Sequence, residues 1–218
     1  MTSNTLRSLL LGTALIASIT TSAHAFPNIV KVQDNAHALT TLVSDKKEND
    51  AQAFVQSMVD NGLAFLSDGS LDKADKAQKF KTLLNESFDL DAISKFAVGR
   101  YWRNMSEEQQ EEYTSLFKTM LVDVYSKRFD EYQGQSVKIT GSEPLNEKDT
   151  IVKSKIISPK SNNDVPVEWR VRKKGNQYKV IDVLVAGVSM SVTQRSDFSS
   201  VIQRGGGDVS VLINHLKK

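Results

Sequence analysis

Residues 88–134 read FDLDAISKFAVGRYWRNMSEEQQEEYTSLFKTMLVDVYSKRFDEYQG, and the second half of this stretch decides the fold. Ser106 is a natural N-cap, and Gln109 three residues on completes a capping box. Glu107, Glu108, Glu111 and Glu112 crowd the first turns, where the helix dipole favours negative charge. Lys127 and Arg128 come late, where positive charge is favoured, and Gly134 offers a stop. The spacing therefore predicts one long helix from Ser106 toward Gly134. Along it Tyr113, Leu116, Phe117, Met120, Leu121, Val124, Tyr125, Phe129 and Tyr132 recur mostly at three- and four-residue intervals. So broad a stripe of large side chains covers either a core or a cavity.

Working upstream, Asp89 or Asp91 caps a shorter helix that holds Ile93, Phe96 and Ala97 and ends near Gly99. Residues 73–87 predict another helix, with Ala77, Phe80, Leu83, Leu84 and Phe88 on its buried side. A turn at 67–70 separates it from a helix over 50–67. There Val55, Met58, Val59, Leu63 and Leu66 share a face, and Gly62 on the same stripe would admit a close backbone. Residues 1–25 have the form of a secretory signal. Arg7 is their one charged side chain, 9–19 is apolar, and Ala23-His24-Ala25 is a small-x-small cleavage site. The apolar run falls short of the roughly 20 residues a spanning helix needs. Cleavage after Ala25 would leave 26–218 as a single domain, and the loss of Arg7 lowers the formal charge from +2 to +1.

Downstream of Gly134 the period changes from helical to alternating. Val137 and Ile139 lie in one short strand and 150–157 form a second, which contains Val152. In 165–172, Val167, Trp169 and Val171 point one way and Glu168, Arg170 and Arg172 the other. Gly175-Asn176 turns the chain into its most apolar strand, 178–190, whose length and internal Gly187 predict a bend or bulge. A helix over 192–203, a break at 205–207 and a last helix over 208–216 follow. The expected class is α+β: N-terminal helices, a four-stranded antiparallel twisted sheet, and C-terminal helices packed back on it.

The chain has 218 residues and no cysteine, which excludes disulfides, thiolate metal sites, a cysteine nucleophile and a lipid-modified N-terminal cysteine. Its near-balanced charge and pI of about 8.6 argue against a nucleic-acid partner. His37 and His215 stand far apart with no ligand-like spacing, so neither a metal nor a cofactor is expected. No GxSxG, HExxH, P-loop or GxGxxG pattern occurs, and no catalytic residue is assigned. Asp182 on the apolar strand is either a buried acid with a raised pKa or, on base rates, a strand residue paired with a nearby cation or facing solvent. An exported chain of this composition suggests a Gram-negative periplasm.

The sheet offers Trp169, Val171, Val183, Val185 and Val188. The helices offer Phe96, Tyr101, Trp102, Phe117, Met120, Leu121 and Tyr125. If the two sets touch, they form an ordinary core. If the helices stand off the sheet, the same residues line a pocket for acyl chains.

The run FDLDAISKFAVGRYWRNMSEEQQEEYTSLFKTML, then VPVEWRVRKKGNQYKVIDVLVAGVSMSVTQRSDF and a terminal LINHL, resembles the MlaC-type family of periplasmic phospholipid-binding proteins, the toluene-tolerance and hopanoid-associated group. Phe88-Asp89, Gly99 to Arg103, the cap at Ser106 and Gln109, Pro166-Val167, Lys179-Val180, Asp182-Val183 and Gly187-Val188-Ser189 carry the resemblance. Ile181 departs from an aromatic usual before the aspartate, and Ala186 from an acidic residue common before the glycine. The resemblance implies that the helices and sheet enclose an apolar cavity. It implies a monomeric carrier that holds a phospholipid by its tails. That carrier would exchange lipid with an outer-membrane lipoprotein complex and an inner-membrane ABC transporter bearing an MCE-domain subunit. The implied lining is Phe96, Tyr101, Trp102, Phe117, Met120, Leu121, Tyr125, Val152, Trp169, Val171, Val183, Val185 and Val188. Arg100, Arg103, Arg172, Lys173 and Lys174 would meet the lipid phosphate or a docking partner. The competing readings are an isomerase or dehydratase with a cone-shaped pocket, needing a buried Asp with a Tyr or His partner, and a filled-core envelope adaptor.

Overall fold

A computed structural model describes residues 35–161 and 163–218, with side chains from residue 46 onward. The expected leader, 1–25, lies outside the described residues. Among the described residues six α-helices and five strands run in the order α1 Asn35–Ser67, α2 Lys73–Ser87, α3 Leu90–Val98, α4 Glu107–Ser126, β1 Ser136–Pro144, β2 Asp149–Ile157, β3 Val165–Lys174, β4 Gln177–Val185, β5 Val188–Ser189, α5 Met190–Arg204 and α6 Val209–Leu216. None of the described helices is long and apolar enough to cross a membrane.

The helix starts follow local side-chain chemistry. Asp72 accepts from the Asp75 amide and Asp89 from the Ala92 amide, each satisfying a donor that a helix leaves unpaired. At α4 the box is complete: Ser106 Oγ accepts from the Gln109 amide at 3.2 Å, and Gln109 Oε1 accepts from the Ser106 amide at 3.0 Å. The end of α4 differs from expectation. The helix stops at Ser126, and the chain turns into a short 3-10 segment, Phe129–Glu131. Phe129 is the reason. Its ring meets Phe80 at 5.4 Å and Phe65 at 6.2 Å, both edge-on, so contacts with α1 and α2 draw the chain out of the helical path.

The sheet is an antiparallel meander in the order β1-β2-β3-β4-β5. Five strands replace the expected four, because 178–190 is not one long strand. Ala186 and Gly187 make a two-residue turn with φ of 50° and 81°, and β5 folds back so that Val185 pairs with Val188. Between β3 and β4 the register steps at Arg170/Val171 and leaves Ile181 as an extra residue. That bulge puts Val180 and Val183 on one face although they are three apart.

Among the described residues two hydrophobic clusters form. In the first, Ala51, Val55, Met58 and Val59 of α1 cover Val152, Val171 and Val180 of the sheet. In the second, Tyr101, Tyr113, Phe117, Phe198, Ile202 and Leu212 bind α3 through α6 together. Gly62 serves no close backbone approach: a Cβ there would meet Leu83 Cδ2 at an ordinary 3.6 Å.

Candidate functional site: an apolar recess between helices and sheet

The recess begins with a row on α4. Phe117, Leu121 and Tyr125 are four residues apart and therefore stand above one another on one helix face. Phe117 is fully buried in the helical cluster, while the next two rise along a recess of about 300 Å³. On α2, Phe80 and Leu84 repeat that spacing, and Phe88 continues it past the helix end. Leu90 and Ile93 of α3 complete the helical wall, and Trp169, Val183 and Val185 form the sheet wall. One end is closed by the Phe80 ring against Tyr125 at 6.2 Å. Burial pushes the Tyr125 hydroxyl pKa up, with nearby Arg128 opposing.

The wall is held by main-chain and ionic ties at the α2–α3 junction. The Asp89 amide donates to the Val180 carbonyl at 2.9 Å, and Lys174 ion-pairs with the Asp89 carboxylate. Lys179 Nζ donates to the Glu86 and Asn85 carbonyls and so caps the end of α2.

One corner is polar, where Asp182, Ser191 and Gln194 reach the recess beside Met190. Asp182 Oδ2 accepts from the Ser189 hydroxyl at 2.6 Å. Its Oδ1 accepts from the Val183 amide at 2.9 Å and the Ser191 amide at 3.1 Å. Ser189 in turn caps α5 by accepting from the Val192 amide. Asp182 pairs with the start of a helix rather than with a nearby Arg or Lys, at a place where the helix dipole favours negative charge. Among the described residues no hydrogen bond joins it to a Tyr or His.

Six of the thirteen sequence-assigned lining residues meet at the recess: Phe117, Leu121, Tyr125, Trp169, Val183 and Val185. The other seven stand elsewhere. Val152 and Val171 are sealed under α1. Tyr101, Trp102 and Met120 belong to the helical cluster, with Trp102 edge-on to Tyr113 at 6.4 Å. Phe96 faces outward beneath the Arg195 guanidinium, and Val188 is exposed on β5. Periodicity assigns a residue to an apolar face, but not to one of two neighbours on that face. The reading passed over Leu90 and Met190, and over the α2 row, although the 80/84/88 spacing was visible.

The basic residues do not line the recess either. Arg172 Nε and Arg170 Nη2 donate to the fully buried Asp149 at 2.7 and 2.6 Å. The Arg172 hydrogen bond, first among several, holds that carboxyl well below the usual carboxylate range against the opposing effect of burial. Lys173 lies over the Tyr178 ring and Arg100 over the Tyr101 ring. Arg103 is exposed.

With that geometry in view, known proteins supply a frame. The chain is 28% identical over 134 residues to toluene tolerance protein ttg2D of Pseudomonas putida, covering 61% of each. It is 24% identical over 128 residues to the intermembrane phospholipid transport system binding protein MlaC of Haemophilus influenzae, covering 56% of this chain and 59% of that one. These alignments span about three fifths of the curated relatives' length. The solved phospholipid-binding protein from Ralstonia solanacearum, in complex with a phospholipid, superposes with a TM-score of 0.66 at 28% identity, over 77% of this chain and 94% of that one. The family model of the MlaC protein matches residues 56–218, from within α1 through α6, and the chain belongs to that family.

Proposed function

We propose that this protein is a periplasmic phospholipid carrier without catalytic residues. It shelters acyl chain in the recess and moves lipid between outer and inner membranes for an Mla-type ABC transport system. The observation that carries the reading is the recess itself, walled by Phe80, Leu84, Leu121, Trp169, Val183 and Val185 and polar at one corner only. The relatives named for phospholipid transport and phospholipid binding support it. The isomerase reading fits less well, because three hydrogen bonds to strand and helix already occupy Asp182.

The energetics suit a carrier. Two acyl chains present roughly 30 methylenes, and shielding them from water is worth about 0.8 kcal/mol each, around 24 kcal/mol in all. Escape into water is then very slow. Return to a bilayer is nearly neutral, because the tails find an equally apolar medium there.

Native mass spectrometry of the protein from a periplasmic preparation, with lipid extraction of the same sample, tests the reading. The expected result is one phospholipid per chain. A clean unliganded mass that persists after incubation with phospholipid vesicles would sink it.

A further inference from the structure

The helix edge beside the recess mouth carries an exposed apolar group that the carrier reading does not use. Val188 of β5, Met190 and Val192 of α5, and Phe96 of α3 are all large, and Val192 is 55% and Phe96 40% exposed. Three of them fall within residues 188–192, and the fourth sits on α3, which packs against α5. Cations stand among them. The Arg195 guanidinium lies 5.1 Å over the Phe96 ring, Lys95 Nζ 5.4 Å over Trp102, and Arg100 5.1 Å over Tyr101. Among the described residues none of these three cations has a carboxylate ion-pair partner. The acid nearest in sequence to Lys95 is Asp91, which is paired with Lys118; to Arg100 it is Glu107, at the start of α4; and to Arg195 it is Asp197, two residues away and so on another helix face.

We infer that this α3–α5 edge is a docking surface for an anionic lipid bilayer. The inference rests on the carrier reading. Aliphatic side chains beside unpaired cations match the two layers of such a surface, acyl boundary and phosphate. Cations resting on aromatic rings keep their charge outward while their stems cover apolar surface. Continuity fixes the occupant: Met190, on the first turn of α5 between Val188 and Val192 in sequence, is exposed and also lines the recess. An acyl chain leaving a bilayer beneath the edge reaches the recess past Met190 without crossing water.

The test is flotation of the full mature chain with phosphatidylcholine vesicles, with and without phosphatidylglycerol. The protein is expected to float with the anionic vesicles only. Val192→Glu sets an acid three residues after the Ser189 cap, the spacing of a capping box, so α5 is favoured while the surface is spoiled. It is expected to keep its melting temperature and lose flotation. Val192→Gln keeps the spacing without the charge and should weaken vesicle binding about tenfold, the equivalent of one valine left unburied. Arg195→Gln should also weaken it. Val211→Gln, an exposed position on α6, should change nothing. Wild-type protein that stays out of the anionic vesicles, or a Val192→Glu protein that floats with them undiminished, overturns the inference. Phospholipid in the native mass spectrum without flotation leaves the carrier reading intact and points to a docking protein as occupant. Val192-dependent flotation of a lipid-free chain upholds the surface even if the carrier reading fails.

Discussion

Ala186 illustrates what one residue costs. It is the first of two turn residues between β4 and β5, both with positive φ. Such primed turns match the twist of a hairpin and favour Asn, Asp or Gly there. An L-residue with a Cβ held in the left-handed region is strained by about 1 kcal/mol. Ala186→Asn is expected to raise stability by about 0.5–1 kcal/mol in a urea titration, with no change in slope. Asp149 works in the opposite direction. Replacing it by Asn leaves two guanidinium groups without their shared carboxylate and should cost about 3 kcal/mol. Because its folded-state pKa is depressed, the wild-type contribution is complete above the ordinary carboxylate value of about 3.9. That contribution drains away as pH falls through that value and below. Urea titrations between about pH 5 and pH 2 should therefore fall more steeply for wild type than for Asp149→Asn.

At the scale of elements, the helix and sheet walls respond differently to bulk. Leu121 faces open volume, so Leu121→Trp should cut phospholipid load while the protein stays folded. Val171 is sealed under α1, so Val171→Phe should cost about 1–3 kcal/mol by overpacking, without a specific effect on load. Lipid per chain and denaturation midpoint, measured on both variants, separate the two. What the sequence made legible follows the same division. The start of α4 was readable, and that of α3 to within two residues, because Ser106 and Asp89 cap with their own side chains, a purely local event. The end of α4 was not, because Phe129 leaves the helix for partners on α1 and α2. The β4–β5 turn was hidden because Ala186 lacks the turn chemistry its position calls for. The recess was half legible: the α4 row and the strand valines announced an apolar face. Which of them α1 would cover depended on packing between segments about 100 residues apart.

At the scale of the molecule, the recess lies between the two hydrophobic clusters, with Phe117 from one and the Trp169–Val183 side of the other as neighbours. Side chains from both clusters line the recess, so bound acyl chain would touch the two at once and couple them. Emptied protein is then expected to melt over a broad range, with a calorimetric enthalpy larger than the van't Hoff value. Loaded protein should give one sharp transition at higher temperature. Cargo would in this way set the cooperativity of the whole chain, tying two melting units into one. A protease that cuts only opened chains should therefore digest the empty form ahead of the filled one.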